Sequence, residues 1–230
     1  MAVRSEIAPI RQVLIHTPGS EHNYTLPKNT TEWVADESGQ LIHNPDYLLF
    51  DDIISPSGMA AEHNELENVL TAFTGKDHTY QFNDILVDTL QTPAQRQELY
   101  SACSTLDQKL YGTENSVDTQ QILDLETPDF AAVLLSGRIT NPVLETVFKW
   151  PLPNLIFTRD IAVTLNNTLV LTWGRWPARQ REMLLMKHVA HHHPLFSSFT
   201  QFDFHTICPD LFLEGGDFIV LDEEDRKSGV

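Results

Sequence analysis

The chain has 230 residues, of which 41% are apolar and 20% are charged, a balance that excludes a disordered or fibrous protein. Its 32 acidic residues outnumber 15 basic ones, and the formal net charge of −17 makes nucleic-acid binding and docking to anionic membranes unexpected. No apolar run approaches the roughly 18 residues that span a bilayer, and the N-terminus has no apolar signal core. We therefore expect a cytoplasmic protein whose two cysteines, Cys103 and Cys208, are free thiols.

The first 83 residues are predicted to form one β-containing unit. Gln12–Thr17 is typical of a short buried strand that Pro18 and Gly19 end. The polar stretch Ser20–Asn44 is predicted to be a long loop. Further on, the apolar spacing within Met59–Phe73 predicts a helix.

Residues 84–149 are predicted to form an inserted helical domain. Proline, acidic and Ser/Thr residues stand where the first turns of helices favour them. The predicted helices are Pro93–Tyr111, Val117–Leu125, Pro128–Ser136 and Pro142–Phe148.

Residues 150–230 return to a strand-rich pattern with one long helix, Ala178 to about His192. The segments around Asp160 and Asp217 resemble each other, which indicates a repeated β-rich unit and an α/β fold that helices interrupt once. The predicted strands are Asn154–Thr158, Ile161–Leu165, Thr168–Thr172, Phe202–Ile207 and Leu211–Leu221.

Two carboxylates stand at equivalent strand ends, Asp160 in Phe-Thr-Arg-Asp and Glu214 in Leu-Glu-Gly-Gly-Asp. Paired anions in one cavity suit a planar cation, because guanidinium presents donors in a fork that carboxylates match. The alternative is that Asp160 pairs with Arg159 or caps a turn and that Glu214 is solvated. Asp51 and Asp52 form a third acidic candidate, with a turn carboxylate as the alternative.

Arg179 lies in the first turn of the long predicted helix, where the helix dipole disfavours a cation. It could therefore hold a carboxylate ligand together with the helix N-terminus. The alternative is a surface arginine.

Histidines and cysteines offer two weaker alternatives. His188 and His192 have the spacing of metal ligands, but no carboxylate lies at a familiar distance along the sequence, and the helix dipole also favours histidine at a C-terminus. Cys208 could be a nucleophile only with a base nearby. His205 is close in sequence, but on the predicted strand positions i and i+3 face opposite sides.

Several motifs then coincide in order along nearly the whole chain. They are Ser5–Gly19, Leu49–Ile53 followed by Ala60–His63, Pro153–Asp160, Trp176–Glu182 and Leu213–Asp217. As a set they resemble bacterial arginine deiminases, whose wider relatives are amidinotransferases and other guanidine-modifying enzymes of the pentein fold.

The resemblance implies an α/β pentein-type propeller of ββαβ repeats, incomplete here, with a helical domain inserted after the first repeat. It implies hydrolysis of L-arginine to citrulline and ammonia without a metal or organic cofactor. Asp160 and Glu214 would hold the substrate guanidinium as catalytic residues. The other implied residues are Asn154, Phe157 and Arg179, which would line the substrate site with Arg179 facing the α-carboxylate, and Asp217, which lies beside Glu214 and would support the site.

The resemblance also implies a cysteine nucleophile and a histidine acid/base that both lie beyond Asp217. The sequence given has neither residue type there, so we expect an N-terminal portion of such an enzyme with weak or no turnover alone. Three alternatives are a non-catalytic guanidine-binding or interaction module, a His/Cys metal protein, and an enzyme for another guanidine substrate. Arg179 favours a substrate with an α-carboxylate over agmatine. The oligomeric state, including a homo-oligomer, is left open.

Overall fold

The structure is a computed structural model that describes residues 3–112, 117–140 and 143–220. Within these ranges the chain is a mixed α/β protein with eight α-helices and nine short strands. The helices are α1 Pro56–Thr74, α2 Phe82–Asp88, α3 Pro93–Tyr111, α4 Thr119–Leu123, α5 Thr127–Ser136, α6 Thr158–Ile161, α7 Pro177–His192 and α8 Phe204–Ile207. The strands are β1 Val13–Ile15, β2 Trp33–Ala35, β3 Leu41–His43, β4 Thr79–Gln81, β5 Arg138–Ile139, β6 Glu145–Thr146, β7 Ala162–Leu165, β8 Thr168–Leu171 and β9 Thr200–Asp203.

The strands after residue 160 form one ββαβ unit. β7 and β8 pair antiparallel as a hairpin, and β8 pairs in parallel with β9. A parallel pair needs a long crossover, which α7 supplies. At the N-terminus β1 pairs in parallel with β4, and α1 lies in the connection between them. These units bear out an α/β class, while the propeller and the division at residues 84 and 149 stay predictions.

The predicted bounds of α3, Pro93–Tyr111, are confirmed, because residues next to each end of the helix determine where it begins and ends. Thr92 and Gln95 form a capping box, and Pro93 occupies the first turn. Gly112 follows in the left-handed conformation, at φ 63°, and ends the helix.

A single core joins the helices of residues 84–149 to the strands and helix that follow. Leu99 of α3 and Phe130 of α5 belong to the same buried cluster as Leu171 of β8 and Met186 of α7. The helical segment therefore buries its apolar faces against α7 and the later strands. Among the described residues, no helix is both long enough and apolar enough to cross a membrane.

Two predicted elements are wrong. In both, hydrogen bonds of the backbone or of a side chain to distant residues set the conformation, and the local pattern of apolar residues does not indicate such bonds. Residues 143–148 of the predicted helix Pro142–Phe148 contain strand β6 instead, and Pro142 lies outside the described residues. The Gly137 carbonyl accepts from the amides of Val147 (2.9 Å) and Phe148 (3.2 Å), which holds this segment extended against the end of α5.

The predicted strand Asn154–Thr158 is a 3₁₀ turn followed by the single turn of α6. The Phe157 amide donates to the Asn154 carbonyl at 2.9 Å. The Asn154 side chain donates to the Leu48 carbonyl, so the segment is tied to a distant loop and not to a sheet.

The last two predicted strands are shorter than expected. Phe202–Ile207 divides into β9 and α8, because the Asp203 carboxylate accepts from the Thr206 amide (3.2 Å) and caps a helical turn. In the described part of Leu211–Leu221, the β-bridge found is that of Leu213 with Trp173, and Leu221 lies outside the described residues.

The stretch predicted as a long loop, residues 20–44, contains two 3₁₀ turns and the hairpin β2–β3. The hairpin places the imidazole of His43 on the indole of Trp176, stacked at 4.7 Å between ring centroids. Because Trp176 directly precedes α7, this contact connects the loop region to the helix that carries Arg179.

Candidate functional site

Asp160 is held where α6 meets β7. Its amide donates to the Phe157 carbonyl (3.0 Å), and its own carbonyl accepts from the Thr172 hydroxyl at 2.6 Å. Thr158 in the same turn donates to the Leu14 carbonyl of β1 at 2.9 Å. The backbone around Asp160 is therefore fixed by both the first strand and the residue that follows β8, and the Asp160 side chain remains 24% exposed.

Glu214 reaches the same place from a later segment of the chain. Trp173 and Leu213 exchange backbone hydrogen bonds of 3.0 and 2.9 Å, which brings residue 214 beside the end of β8. The Glu214 amide then donates to the Asp217 carboxylate at 3.0 Å, so Asp217 fixes the backbone that carries Glu214.

The guanidinium of Arg179 lies between the two carboxylates. Its Nη1 is 2.7 Å from Oδ2 of Asp160 and 4.0 Å from Oε1 of Glu214. Its Nη2 and Nε contact Oε2 of Glu182 at 3.0 and 3.1 Å, and Nη2 also donates to the Asn154 carbonyl at 3.3 Å. Arg179 is only 5% exposed, so these carboxylates form one cluster around a buried cation.

Burial and charge set the protonation of this cluster. Burial raises the pKa of Glu182 to about 7, although Arg179 opposes the change. Burial also raises the pKa of Glu214, and the negative charge of Asp160 adds to that rise. For Arg179 burial lowers the pKa, but the attraction of Glu182 and Asp160 outweighs it and the net shift is upward. The cation is thus permanent, while Glu182 and Glu214 are weaker acids than usual.

We expect Glu182→Gln to remove a pH dependence of stability. A carboxyl whose pKa in the folded protein is raised from 4.5 to about 7 stabilises fully below pH 4.5, and this contribution is lost as the pH rises through about 7. The raised pKa corresponds to about 2–3 kcal/mol between pH 5 and pH 8. Urea unfolding of wild type and Glu182→Gln at both pH values measures the difference, with exposed Glu65→Gln as the control. Equal pH dependence in wild type and Glu182→Gln would contradict the raised pKa.

The remaining predicted residues have different settings. Asn154 is buried and its side-chain amide is committed to the Leu48 carbonyl, so it faces Arg179 only through its backbone carbonyl. Phe157 is 50% exposed at the start of α6. Asp51 is exposed and accepts a 2.6 Å hydrogen bond from the Tyr47 hydroxyl.

Cys103 does not have the setting of a nucleophile. Cys103 is fully buried in the core, and burial raises its pKa to about 12. The predicted strand Phe202–Ile207 ends at Asp203, and His205 lies in α8, where its ring stacks on Trp173 at 4.3 Å. His205 and Cys208 therefore do not lie on opposite faces of a strand.

The residue that sequence reasoning missed is Glu182. Its spacing to Arg179, i and i+3 on one helix, is the usual signal for such a pair. A second missed contact is that of Arg159, whose Nη2 lies 2.6 Å from Oε1 of Glu6 and donates to the Phe218 carbonyl. Arg159 therefore pairs with Glu6 and leaves Asp160 to Arg179.

Comparison with known proteins gives a consistent result. The family model described as arginine deiminase matches residues 46–226 of this chain. Proteins named arginine deiminase from Staphylococcus aureus strain JH9, Listeria monocytogenes serotype 4b strain F2365 and Limosilactobacillus fermentum are similar to it, at 26%, 28% and 26% identity. Each alignment covers 99% of this chain and 54%, 55% and 55% of the respective relative. The chain spans about half the length of the curated relatives that it matches.

Proposed function

The chain belongs to the arginine deiminase family, and from this premise we propose that Asp160 and Glu214 hold the guanidinium of L-arginine for hydrolysis to L-citrulline and ammonia. The observation that carries the proposal is their convergence. Carboxylates from two distant segments meet at one guanidinium nitrogen, Nη1 of Arg179. An arrangement that accommodates an internal guanidinium has the charge and spacing to accommodate the same group of a substrate.

Glu214 supports the proposal through an unused acceptor. Its Oε1 is buried and makes no hydrogen bond with any residue that the structure describes. A buried acceptor without a donor is costly, and a substrate guanidinium would supply that donor. Glu214 is also only half-buried as a residue, so part of its side chain faces solvent.

Arg179 is proposed to exchange partners when substrate binds. Glu182 and the Asn154 carbonyl hold one side of its guanidinium, while Nη1 alone contacts Asp160. An incoming guanidinium would take Asp160 and Glu214, and the planar guanidinium of Arg179 would turn as one unit toward the substrate α-carboxylate, as the resemblance implies. This exchange favours L-arginine over agmatine, which has no α-carboxylate.

The covalent steps are proposed to need groups from outside residues 1–230. Carboxylates can bind and polarise a guanidinium, but the family mechanism requires a thiolate to attack its carbon and an acid to protonate departing ammonia. Because this chain spans about half of each relative, we propose that the remainder of a full-length protein supplies the cysteine and histidine. We therefore expect this chain to bind L-arginine and to form little or no citrulline by itself.

Calorimetry with the purified chain tests the proposal. We expect L-arginine to bind, L-citrulline and agmatine to bind more weakly, and Glu214→Gln to lose about 10–100-fold in affinity, the usual worth of a hydrogen bond to a charged group. Glu65→Gln, an exposed site on α1, is the matched control and should bind as wild type does. Absence of arginine binding, or equal affinities of wild type and Glu214→Gln, would mean that the acids serve only as internal partners of Arg179.

A further inference from the structure

A second cluster of ionisable side chains lies where α3 packs on α7. His188 and His192 are one turn apart on α7, and Glu98 faces them from α3. The imidazole Nε2 of His192 is 3.4 Å from Oε2 of Glu98. One nitrogen or oxygen of each residue lies within 4.8 Å of the corresponding atoms of the other two. No carboxylate lies at the spacing of a metal ligand from these histidines along the sequence, but Glu98 of α3 supplies one in the folded protein.

His188, one of the three residues of this cluster, carries an unused nitrogen. The residue is only 5% exposed, and its Nε2 has no hydrogen-bond partner among residues 3–112, 117–140 and 143–220. Burial, together with the neighbouring His192, lowers the pKa of His188 to about 4, so the ring is neutral at neutral pH.

We propose that Glu98, His188 and His192 bind one Zn²⁺ ion, which would join α3 to α7. Two imidazoles and a carboxylate are a typical zinc ligand set, and histidines at i and i+4 on a helix present their nitrogens to one ion. Zinc requires ligand distances of about 2.0–2.2 Å, so the three side chains must close on the ion. The Glu98 side chain is 60% exposed and that of His192 is 29% exposed, which leaves both free to move and leaves a fourth position open to water.

The helix dipole does not account for this arrangement. Attraction to the C-terminus of α7 explains histidine at positions 191–193, and His193 has a partner in Asp88 at 3.7 Å. It does not explain a buried neutral imidazole one turn earlier whose Nε2 lacks a partner in the described part of the chain. A metal ion would satisfy that nitrogen without requiring a buried charge on His188.

The test uses the untagged full chain, stripped with EDTA and titrated with ZnCl₂ in a calorimeter. We expect one site per chain and a rise in Tm on zinc binding. His192→Ala and Glu98→Gln should each weaken zinc binding by more than about 100-fold. This loss exceeds the 10–100-fold that is usual when a residue that only hydrogen-bonds to a metal ligand is replaced. His191→Ala is the matched control, since His191 is exposed on the same helix turn and is not part of the cluster. Both test positions are exposed, and circular dichroism confirms that each variant folds.

Absorption of the cobalt-loaded chain gives a second readout. We expect a tetrahedral Co²⁺ spectrum in wild type and His191→Ala that is absent in His192→Ala. The proposal is overturned if zinc neither binds nor raises Tm, or if His191→Ala loses as much affinity as His192→Ala. L-Arginine binding should be unchanged in His192→Ala, so that failure of the zinc site is distinguished from failure of the guanidinium site.

Discussion

Replacing Arg179 with methionine should lower the free energy of unfolding by about 3–5 kcal/mol at pH 8. The methionine fills most of the volume but leaves Glu182, which is fully buried, without its cation. Asp160 loses its 2.7 Å contact at the same time. Breaking one side of a buried ion pair costs this much because the remaining charge stays desolvated. Chemical denaturation at fixed pH measures the loss.

The loss of stability caused by Arg179→Met should also depend on pH. Since the pKa of Glu182 is raised to about 7, this group is mostly neutral at pH 5, and the loss caused by Arg179→Met should be smaller there than at pH 8. Adding Glu182→Leu should restore much of the stability at pH 8, because the unpaired charge disappears. Arg175→Met, an exposed arginine just before α7, is the control. A loss below about 1 kcal/mol at pH 8, or one that does not vary with pH, would show that the cluster around Arg179 is solvated.

The long helices could be predicted from the sequence because their signals are local. α3 and α5 each have proline in the first turn and glycine immediately after the last, and the structure has both close to the predicted bounds. Segment 154–158 could not be predicted in this way. Its apolar run is typical of a strand, but a contact from Asn154 to Leu48, more than 100 residues away, decides its conformation.

The sequence predicts which acidic residues lie in the candidate site, but it does not predict which side chains they contact. Their positions at equivalent predicted strand ends indicated Asp160 and Glu214, and the structure brings both near one guanidinium. That the guanidinium belongs to Arg179 depends on how α7 packs against α6, which is a tertiary contact. Glu182 escaped notice because an acidic residue within a helix is usually solvated, whereas this one is fully buried.

The approach of Glu214 to Asp160 depends on one glycine. A Cβ on Gly215 would lie 2.7 Å from the carbonyl carbon of Arg159 and closer still to its oxygen, inside the 3.0 Å that real Cβ atoms essentially never reach. The obstacle is backbone and cannot rotate away. The Arg159 side chain reinforces this close packing through hydrogen bonds to the carbonyls of Gly215 (3.2 Å) and Phe218 (2.6 Å). An alanine at 215 must therefore push the segment that carries Glu214 away from Asp160.

We accordingly expect Gly215→Ala to abolish measurable L-arginine binding while lowering Tm only slightly. The binding loss follows because Glu214 can no longer share a guanidinium with Asp160. The small change in Tm follows because, in the described part of the chain, the main core cluster takes no residue from beyond position 199. Hydrogen exchange of the Leu213 and Phe218 amides, both bonded in wild type, should accelerate in the variant and report the displacement directly. Gly216→Ala is the matched control, since its Cβ would meet only Oδ1 of Asp160 at 3.8 Å, an ordinary contact. If Gly215→Ala binds L-arginine as wild type does although its amide exchange is faster, Glu214 does not take part in guanidinium binding. If amide exchange is unchanged, the close packing of Gly215 on Arg159 is wrong.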